Sequence, residues 1–366
     1  MTKYIIQRVI WIFIILFTTL TITFVLLKLA PEYPPTKNDD KDMWLEKQVT
    51  DGYYTSVYYD INSPEDMAEV DLIRSTNPNI DETVFIVNPV RDSLVIKVFY
   101  RVPIITQYLR WLKNVVTDWN WGTSTQIRVN MPAFKIIADR LPLTLYINIA
   151  SLLFYLPFGF LFGIIAALKK DSITDNIMQV FIMFFLSIPA LVLLLTFIIL
   201  FSYQMNNLLP SLFPLVGVES NYEIAKGFVI PILAVGLPSI AGLTRILRAE
   251  LSEVLTSEFV LLAKTKGLSH QQAVLRHAIR NSLVPMVPII IGSFAGLLGG
   301  SFILESVYAI PGVGRITLQA LAQNEYDYNV IMASSAFYGI IGLTTVLIVD
   351  LSYGIIDPQI RMGAKK

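Results

Sequence analysis

Six stretches of the chain are apolar for about the thickness of a lipid bilayer. Val9–Leu27 is an uncharged run of 19 residues, close to the ~20 that cross the hydrocarbon. It is too long for the apolar core of a secretory signal, and Leu27–Pro31 offers no small-x-small cleavage site, so it reads as a retained span. Leu141–Leu168, Ile177–Ser202, Phe228–Leu243, Leu283–Leu304 and Val330–Val349 follow. Pro142 suits the first turn of the second span. Asn148 and Ser151 are expected to face other helices. Pro189 predicts a kink in the third span. Pro231, Gly236 and Pro238 interrupt the fourth, as is tolerated where neighbours satisfy the freed backbone groups.

Residues 31–141 are polar. Ser63-Pro64-Glu65-Asp66 is a helix start with proline at the first position. Thr83–Val87 and Ser93–Tyr100 are β-branched and aromatic and read as strands. Tyr53, Tyr54, Tyr58 and Tyr59 offer either a contact surface or ordinary packing, with packing favoured. The chain thus divides into an N-terminal helix (1–30), an α+β region (31–141) and a core of five spans (142–366). An even number of spans puts both termini on one side. That side also holds Lys169, Lys170, the 245–282 loop with Arg245, Arg248, Lys264, Lys266, Arg276 and Arg280, and the tail with Arg361, Lys365 and Lys366. The short loops opposite hold only Lys226 and Arg315. The excess of basic residues predicts cytoplasmic termini and an extracytoplasmic 31–141 region.

Composition narrows the chemistry. Hydrophobic residues make up 54% and charged ones 15%, which excludes a disordered chain and argues against a soluble globular one. The formal net charge of zero points to no class of partner. With no cysteine, disulfides, thiolate metal sites and cysteine nucleophiles are excluded. Histidine occurs only at 270 and 277, which argues against a histidine metal site or proton relay. No catalytic or metal-binding residue set is expected. No G-x-x-x-x-G-K-[ST] is present, so no loop that would cradle a nucleotide phosphate. Energy for any transport must come from another polypeptide or an ion gradient.

The most polar segment of the second half is Glu258–Pro285, EFVLLAKTKGLSHQQAVLRHAIRNSLVP. It predicts two short helices with a break. Thr256 or Ser257 caps the first, with Glu258 in its first turn. Lys264 and Lys266 suit its C-terminus, and Gly267 can take the left-handed conformation that ends it. Ser269 and Gln272 form a capping box that opens the second helix, where Arg276 and Arg280 share a face. A DNA-reading pair of helices is disfavoured by the flanking spans, which leaves a docking element or a plain surface hairpin.

This segment resembles the "EAA" coupling loop of bacterial ABC-importer permeases, in the oligopeptide/dipeptide subfamily. The matching residues are Ala263, Gly267, Leu268, Ser269, Leu275, Arg276, His277, Ala278, Arg280, Asn281 and Pro285. Leu261 stands at the broad motif's acidic position and Arg280 at its later proline; the peptide subfamily typically replaces both. Leu29-Ala30-Pro31, Gln107–Leu112, Trp121–Ser124 and Asp357–Arg361 also resemble that family, and 33–100 matches nothing. The resemblance implies a type I ABC-importer permease fold with six transmembrane helices and an α+β insertion after the first. Glu258, Ala263, Lys264, Lys266, Gly267, Ser269, Arg276 and Arg280 would then sit in a groove of an ATPase subunit. It also implies a second permease, two ATPase subunits holding ATP and Mg, an extracytoplasmic peptide-binding protein, and a multi-pass chain in the bacterial inner membrane surrounded by lipid, with no cofactor of its own and no nucleic acid. Gly292, Gly296, Gly299 and Gly300 form a small-residue face on the fifth span, either for packing within the subunit or for an interface with a partner or gate. Glu305, Pro311, Gly312, Gly314 and Arg315 resemble the family's outer-side turn, with Glu305 paired to Arg315 or turned to substrate. The rivals are the same machinery carrying nickel or a glutathione-like peptide, an ion-coupled secondary transporter, and a membrane-anchored sensor. The secondary transporter predicts intramembrane carboxylates, and the six span interiors contain none.

Overall fold

The computed structural model describes residues 2–30, 38–77, 81–88, 93–296, 302–322 and 326–356. The fold is mainly α-helical. Five helices are long and apolar enough to cross a membrane, or six if one bent pair counts as a span. Contacts divide the chain into two units, residues 1–19, 135–321 and 333–366 in the first, and 20–134 with 322–332 in the second.

The first unit contains the membrane helices. α1 (Thr2–Leu29) begins in it, and α5 (Ala133–Leu168) crosses with Pro142 and Pro157 inside the helix. Pro142 was expected to open that span; the helix instead begins nine residues earlier, with Ala133. α6 (Ile173–Ser187) and α7 (Ala190–Phe197, extended by a π-helical turn to Gln204) are bent by 95° to each other. The cause is local. Pro189 disfavours helix at the preceding residue, and Ile188 is extended at φ −95°, ψ 123°. The kink expected at Pro189 is thus a sharp break. α8 (Asn221–Gly227) leads into α9 (Val229–Leu255), which contains Pro238.

α5 and α9 pack closely through glycines. A Cβ on Gly159 would lie 2.6 Å from Leu243 Cδ2, and one on Gly163 would lie 2.8 Å from Leu247 Cβ. Gly159 and Gly163 are one turn apart, as are Leu243 and Leu247, so two leucine knobs enter two glycine notches. Gly236 receives Phe154 on the same pair of helices, 2.5 Å from a built Cβ. Leu243, Leu247 and Leu251 continue as a buried stripe that meets Val260, Ala263, Ala273, Ala278 and Met286.

The second unit holds the insertion. Its three antiparallel strands β1 (Tyr54–Asp60), β2 (Asp81–Asn88) and β3 (Ser93–Arg101) are ordered β1-β3-β2. Alternation along β3 divides its residues between two faces. On one face Ile96 and Val98 pack with Tyr59 and with Val70 of α3 (Pro64–Thr76). On the other, Phe99 packs with Tyr54 and with Leu45 of α2 (Asn38–Thr50). Lys97 shares that second face and is 3% exposed; its ammonium is paired with Glu46 of α2 and lies over the Phe99 and Tyr58 rings. Three of the four tyrosines are core residues and only Tyr58 is exposed, so packing accounts for most of that cluster. Ser63 caps α3 by accepting from Asp66 N–H, with Pro64 at the first position, as the sequence predicts.

The chain leaves the sheet through α4 (Ile104–Asp118), whose Tyr108 and Trp111 pack on Phe24 of α1. A loop at 119–132 then closes on residues 327–329. Asp327, fully buried, accepts from Ser124 Oγ (2.5 Å) and from three successive main-chain N–H groups, those of Thr125, Gln126 and Ile127, at 3.1–3.2 Å. Asn329 donates to Thr123 O and accepts from the Tyr53 hydroxyl.

Candidate functional site

The Glu258–Pro285 segment folds as two short helices with a sharp break. α10 (Glu258–Thr265) follows α9 after a two-residue turn. Ser257 is its N-cap residue but donates its hydroxyl to Val254 O, so the expected capping bond to α10 is not made. The helix ends in a Schellman motif. Gly267 N–H donates to Lys264 O (3.0 Å) and Leu268 N–H to Ala263 O (3.3 Å), with Gly267 at φ +93°. Leu268 packs into the cluster that contains Ala263. The capping box forms: Gln272 N–H donates to Ser269 Oγ and Ser269 N–H to Gln272 Oε1. α11 (His270–Ala273), a π-helical turn (Val274–Ala278) and α12 (Ile279–Ser282) complete the second arm. Pro285 lies in a 3₁₀ turn that leads into α13 (Val287–Gly296).

The hairpin has an inner and an outer side. Val260, Ala263, Ala273, Val274 and Ala278 are buried, and all but Val274 belong to the cluster with α9. Glu258, Lys264, Lys266, Gly267, Ser269, Arg276 and Arg280 are exposed. So are Leu261, Leu262 and Leu275, each more than half exposed. The outer side of the hairpin thus presents three exposed leucines together with charged groups. In the sequence Leu261 and Leu275 stand out only as motif positions, and none of the three leucines is marked there as exposed. Their signal was available: they fall out of phase with the buried stripe of the same helices.

Gly292 of the fifth span does not pack as the glycines of α5 do. A Cβ on Gly292 meets nothing within 4 Å. Gly296 ends α13, and Gly299 and Gly300 lie outside the described residues.

Glu305, on α14 (Phe302–Val307), is 4% exposed. It accepts from Thr144 Oγ1 (3.2 Å) and from Arg315 N–H (3.1 Å), while Thr144 Oγ1 accepts from Val313 N–H. The Arg315 guanidinium donates to Ala309 O (2.6 Å). The pairing with Arg315 is therefore through its main chain. Gly312 and Gly314, at the start of α15 (Val313–Ala320), leave room for the carboxylate: a Cβ on Gly312 would lie 2.5 Å from Thr144 Oγ1 and one on Gly314 3.0 Å from Glu305 Oε2. Pro311 fixes the turn between α14 and α15.

Where α6 meets α9 lies a bidentate ion pair. Arg248 Nε and Nη2 donate to Asp175 Oδ1 (2.6 Å) and Oδ2 (2.7 Å), and Asp175 is fully buried. Asp171 N–H and Gln179 Nε2 add two further donors. Among the described residues, no group of three or more His, Cys, Asp and Glu could hold a metal ion.

Residues 159–362 match the family model described as the binding-protein-dependent transport system inner membrane component. The chain is 32% identical over 260 residues to the dipeptide transport system permease protein DppB of Lactococcus lactis, covering 71% of this chain and 82% of that one. It is 30% identical over 264 residues to DppB of Bacillus subtilis, covering 72% and 81%. To the oligopeptide transport system permease protein OppB of Haemophilus influenzae it is 29% identical over 259 residues, covering 71% and 81%. The matched segment runs from the glycine notches of α5 through the exposed hairpin to the last helix. This chain is a multi-pass membrane permease of the ABC transport systems and belongs to the family of binding-protein-dependent transport system inner membrane components.

Proposed function

We propose that the chain imports dipeptides or oligopeptides as one membrane-spanning subunit of an ATP-driven transporter. The observation that carries this reading is the hairpin α10–α12, packed on α9 by its buried side and presenting Leu261, Leu262 and Leu275 with Lys264, Lys266, Arg276 and Arg280 on its outer side. Such a hairpin transmits movement of a docked ATPase to α9 as a lever. Two ATPase subunits bind Mg-ATP, a second permease completes the pathway, and an extracytoplasmic protein delivers the peptide. The relatives named for dipeptide and oligopeptide transport support the cargo. Both termini and the hairpin are cytoplasmic, and the sheet unit is outside. Glu305, with Thr144, Gly312 and Gly314, fixes the turn at the outer mouth by holding α14 and α15 together. ATP closes the ATPase pair and shifts the permease between inward and outward access, which it can do only by binding the two states unequally.

The test is co-purification of the tagged chain, with mass spectrometry of bound subunits and retained small molecules. Two ATPases, a second permease and peptides are expected. Retained nickel without peptide overturns the cargo, and a chain that copurifies with no ATPase overturns the coupling. For orientation, a single cysteine at position 60 should react with an impermeant thiol reagent from outside, and one at 270 should not; reversed labelling refutes it.

A further inference from the structure

Beside the buried ion pair, α6 and α9 leave a cleft of about 520 Å³. Its α6 wall is Gln179, Ile182, Met183 and Leu186; its α9 wall carries Arg245 and Arg248. The two arginines differ. Arg248 is neutralised by Asp175. Arg245, one turn further from the C-terminal end of α9, is exposed and has neither a carboxylate nor a hydrogen-bond partner among the described residues. Its five fixed donors suit a carboxylate or phosphate.

The position of the cleft narrows the choice of anion. α6 begins at Ile173, directly after exposed Lys169, Lys170 and Asp171, a charged turn that suits the water boundary of a membrane. Gln179 is four residues beyond Asp175, about 6 Å along the helix at 1.5 Å per residue. The cleft therefore opens at headgroup depth and runs inward along apolar side chains. Met183 and Leu186 are 61% and 42% exposed in the isolated chain, beside buried Ile182, so this chain leaves the apolar wall uncovered at those two residues. A charged mouth over an apolar groove between membrane helices matches the two halves of a phospholipid.

We infer that the α6–α9 cleft is a binding site for an anionic phospholipid, whose phosphate is held by Arg245 and whose acyl chain lies against Ile182, Met183 and Leu186. This site does not depend on the cargo: a permease of any substrate would retain the lipid, so its test and that of peptide import fail separately.

The full chain, purified with its co-purifying subunits, is reconstituted in nanodiscs of mixed phosphatidylglycerol and phosphatidylcholine, extracted into detergent, and weighed intact by native mass spectrometry. Wild type should retain phosphatidylglycerol over phosphatidylcholine. Arg245→Gln should lower that preference about fivefold, the worth of one cation facing an anionic headgroup, and Arg245→Lys should restore most of it. Met183→Trp, which fills the groove and keeps the charge, should also displace the lipid; it serves as the readout if Arg245→Gln does not assemble. Unchanged retention in Arg245→Gln or in Met183→Trp overturns the proposal. So does equal loss of both lipids. Normal lipid retention with impaired uptake only of peptides that have a free C-terminal carboxylate would overturn it too, and would assign Arg245 to cargo.

Discussion

Replacing Gly267 isolates the geometry of the hairpin from its contacts. The residue sits at φ +93° with both Schellman bonds passing over it, and a Cβ there meets no atom within 4 Å. Gly267→Ala therefore introduces no clash within the chain, only backbone strain. A side chain in the left-handed region costs about 1–2 kcal/mol. If that strain is relieved by opening the break, the closed hairpin loses a factor of about 5–30 in population. Gly267→Val adds β-branching and a side chain that protrudes from the exposed side, so it should do more. Hydrogen exchange at Leu268 in the intact chain should rise by that factor in the alanine variant. Peptide uptake in cells should fall, and fall further in the valine variant, while the chain stays inserted and cargo binding by the external protein is unchanged. Gly267→Asn, which tolerates a left-handed backbone better, should lie between wild type and alanine. Wild-type exchange at Leu268 together with normal uptake in Gly267→Val would refute the claim that the left-handed break sets the hairpin's shape for docking.

Gly163→Leu forces a side chain against Leu247 and should destabilise the α5–α9 packing by about 1–3 kcal/mol, seen as a lower Tm in detergent; Gly292→Leu, with open space around it, should leave the Tm of the isolated chain unchanged and act only in the assembled transporter. Arg248→Met leaves Asp175 buried without its partner, at a cost of about 3–5 kcal/mol, and adding Asp175→Asn should recover much of the lost Tm. Asp327→Asn weakens the acceptor shared by four donors and should open the 124–127 loop to proteolysis; an unchanged cleavage pattern would count against it. Burial raises the Asp51 carboxyl above its ordinary value, opposed by Lys47 and Lys28, and its Oδ2 has no hydrogen-bond partner. With the folded pKa above the unfolded one, its contribution is present below the ordinary carboxylate range and is lost as pH rises through the folded value. Asp51→Asn should therefore slow hydrogen exchange of residues 38–60 at neutral pH and make little difference in acid.

Long periodicities and local caps were readable in the sequence. Spans with no charge for 19 residues or more admit little else, and the capping box at Ser269 and the glycine at 267 are local signals that need no tertiary context. What was not readable depended on a partner element. Gly159 and Gly163 carry the same spacing as Gly292 and Gly296, but only Leu243 and Leu247 on another helix make the first pair a packing face. The β1 strand, with Tyr54 and Tyr59 as its buried residues, is not legible in the sequence because its other positions are polar or exposed, as edge strands often are. α2 is nearly as polar as a loop, and it is held by Leu45 and by the Glu46–Lys97 pair.

Asp327 sets a schedule for making the insertion. The loop it closes, beginning at Ser124, is 203 residues earlier in the chain. At roughly 5–20 residues per second of synthesis, the N–H groups of 125–127 wait about 10–40 s for their carboxylate. During that interval all residues of the sheet and its two covering helices have been synthesised, while Thr123 O and the Tyr53 hydroxyl still lack Asn329. The insertion can thus mature only after nearly the whole membrane core has been made. A chain that stops before Asp327 lacks the acceptor for these four donors, so closure of the 124–127 loop depends on the last part of the chain to be made.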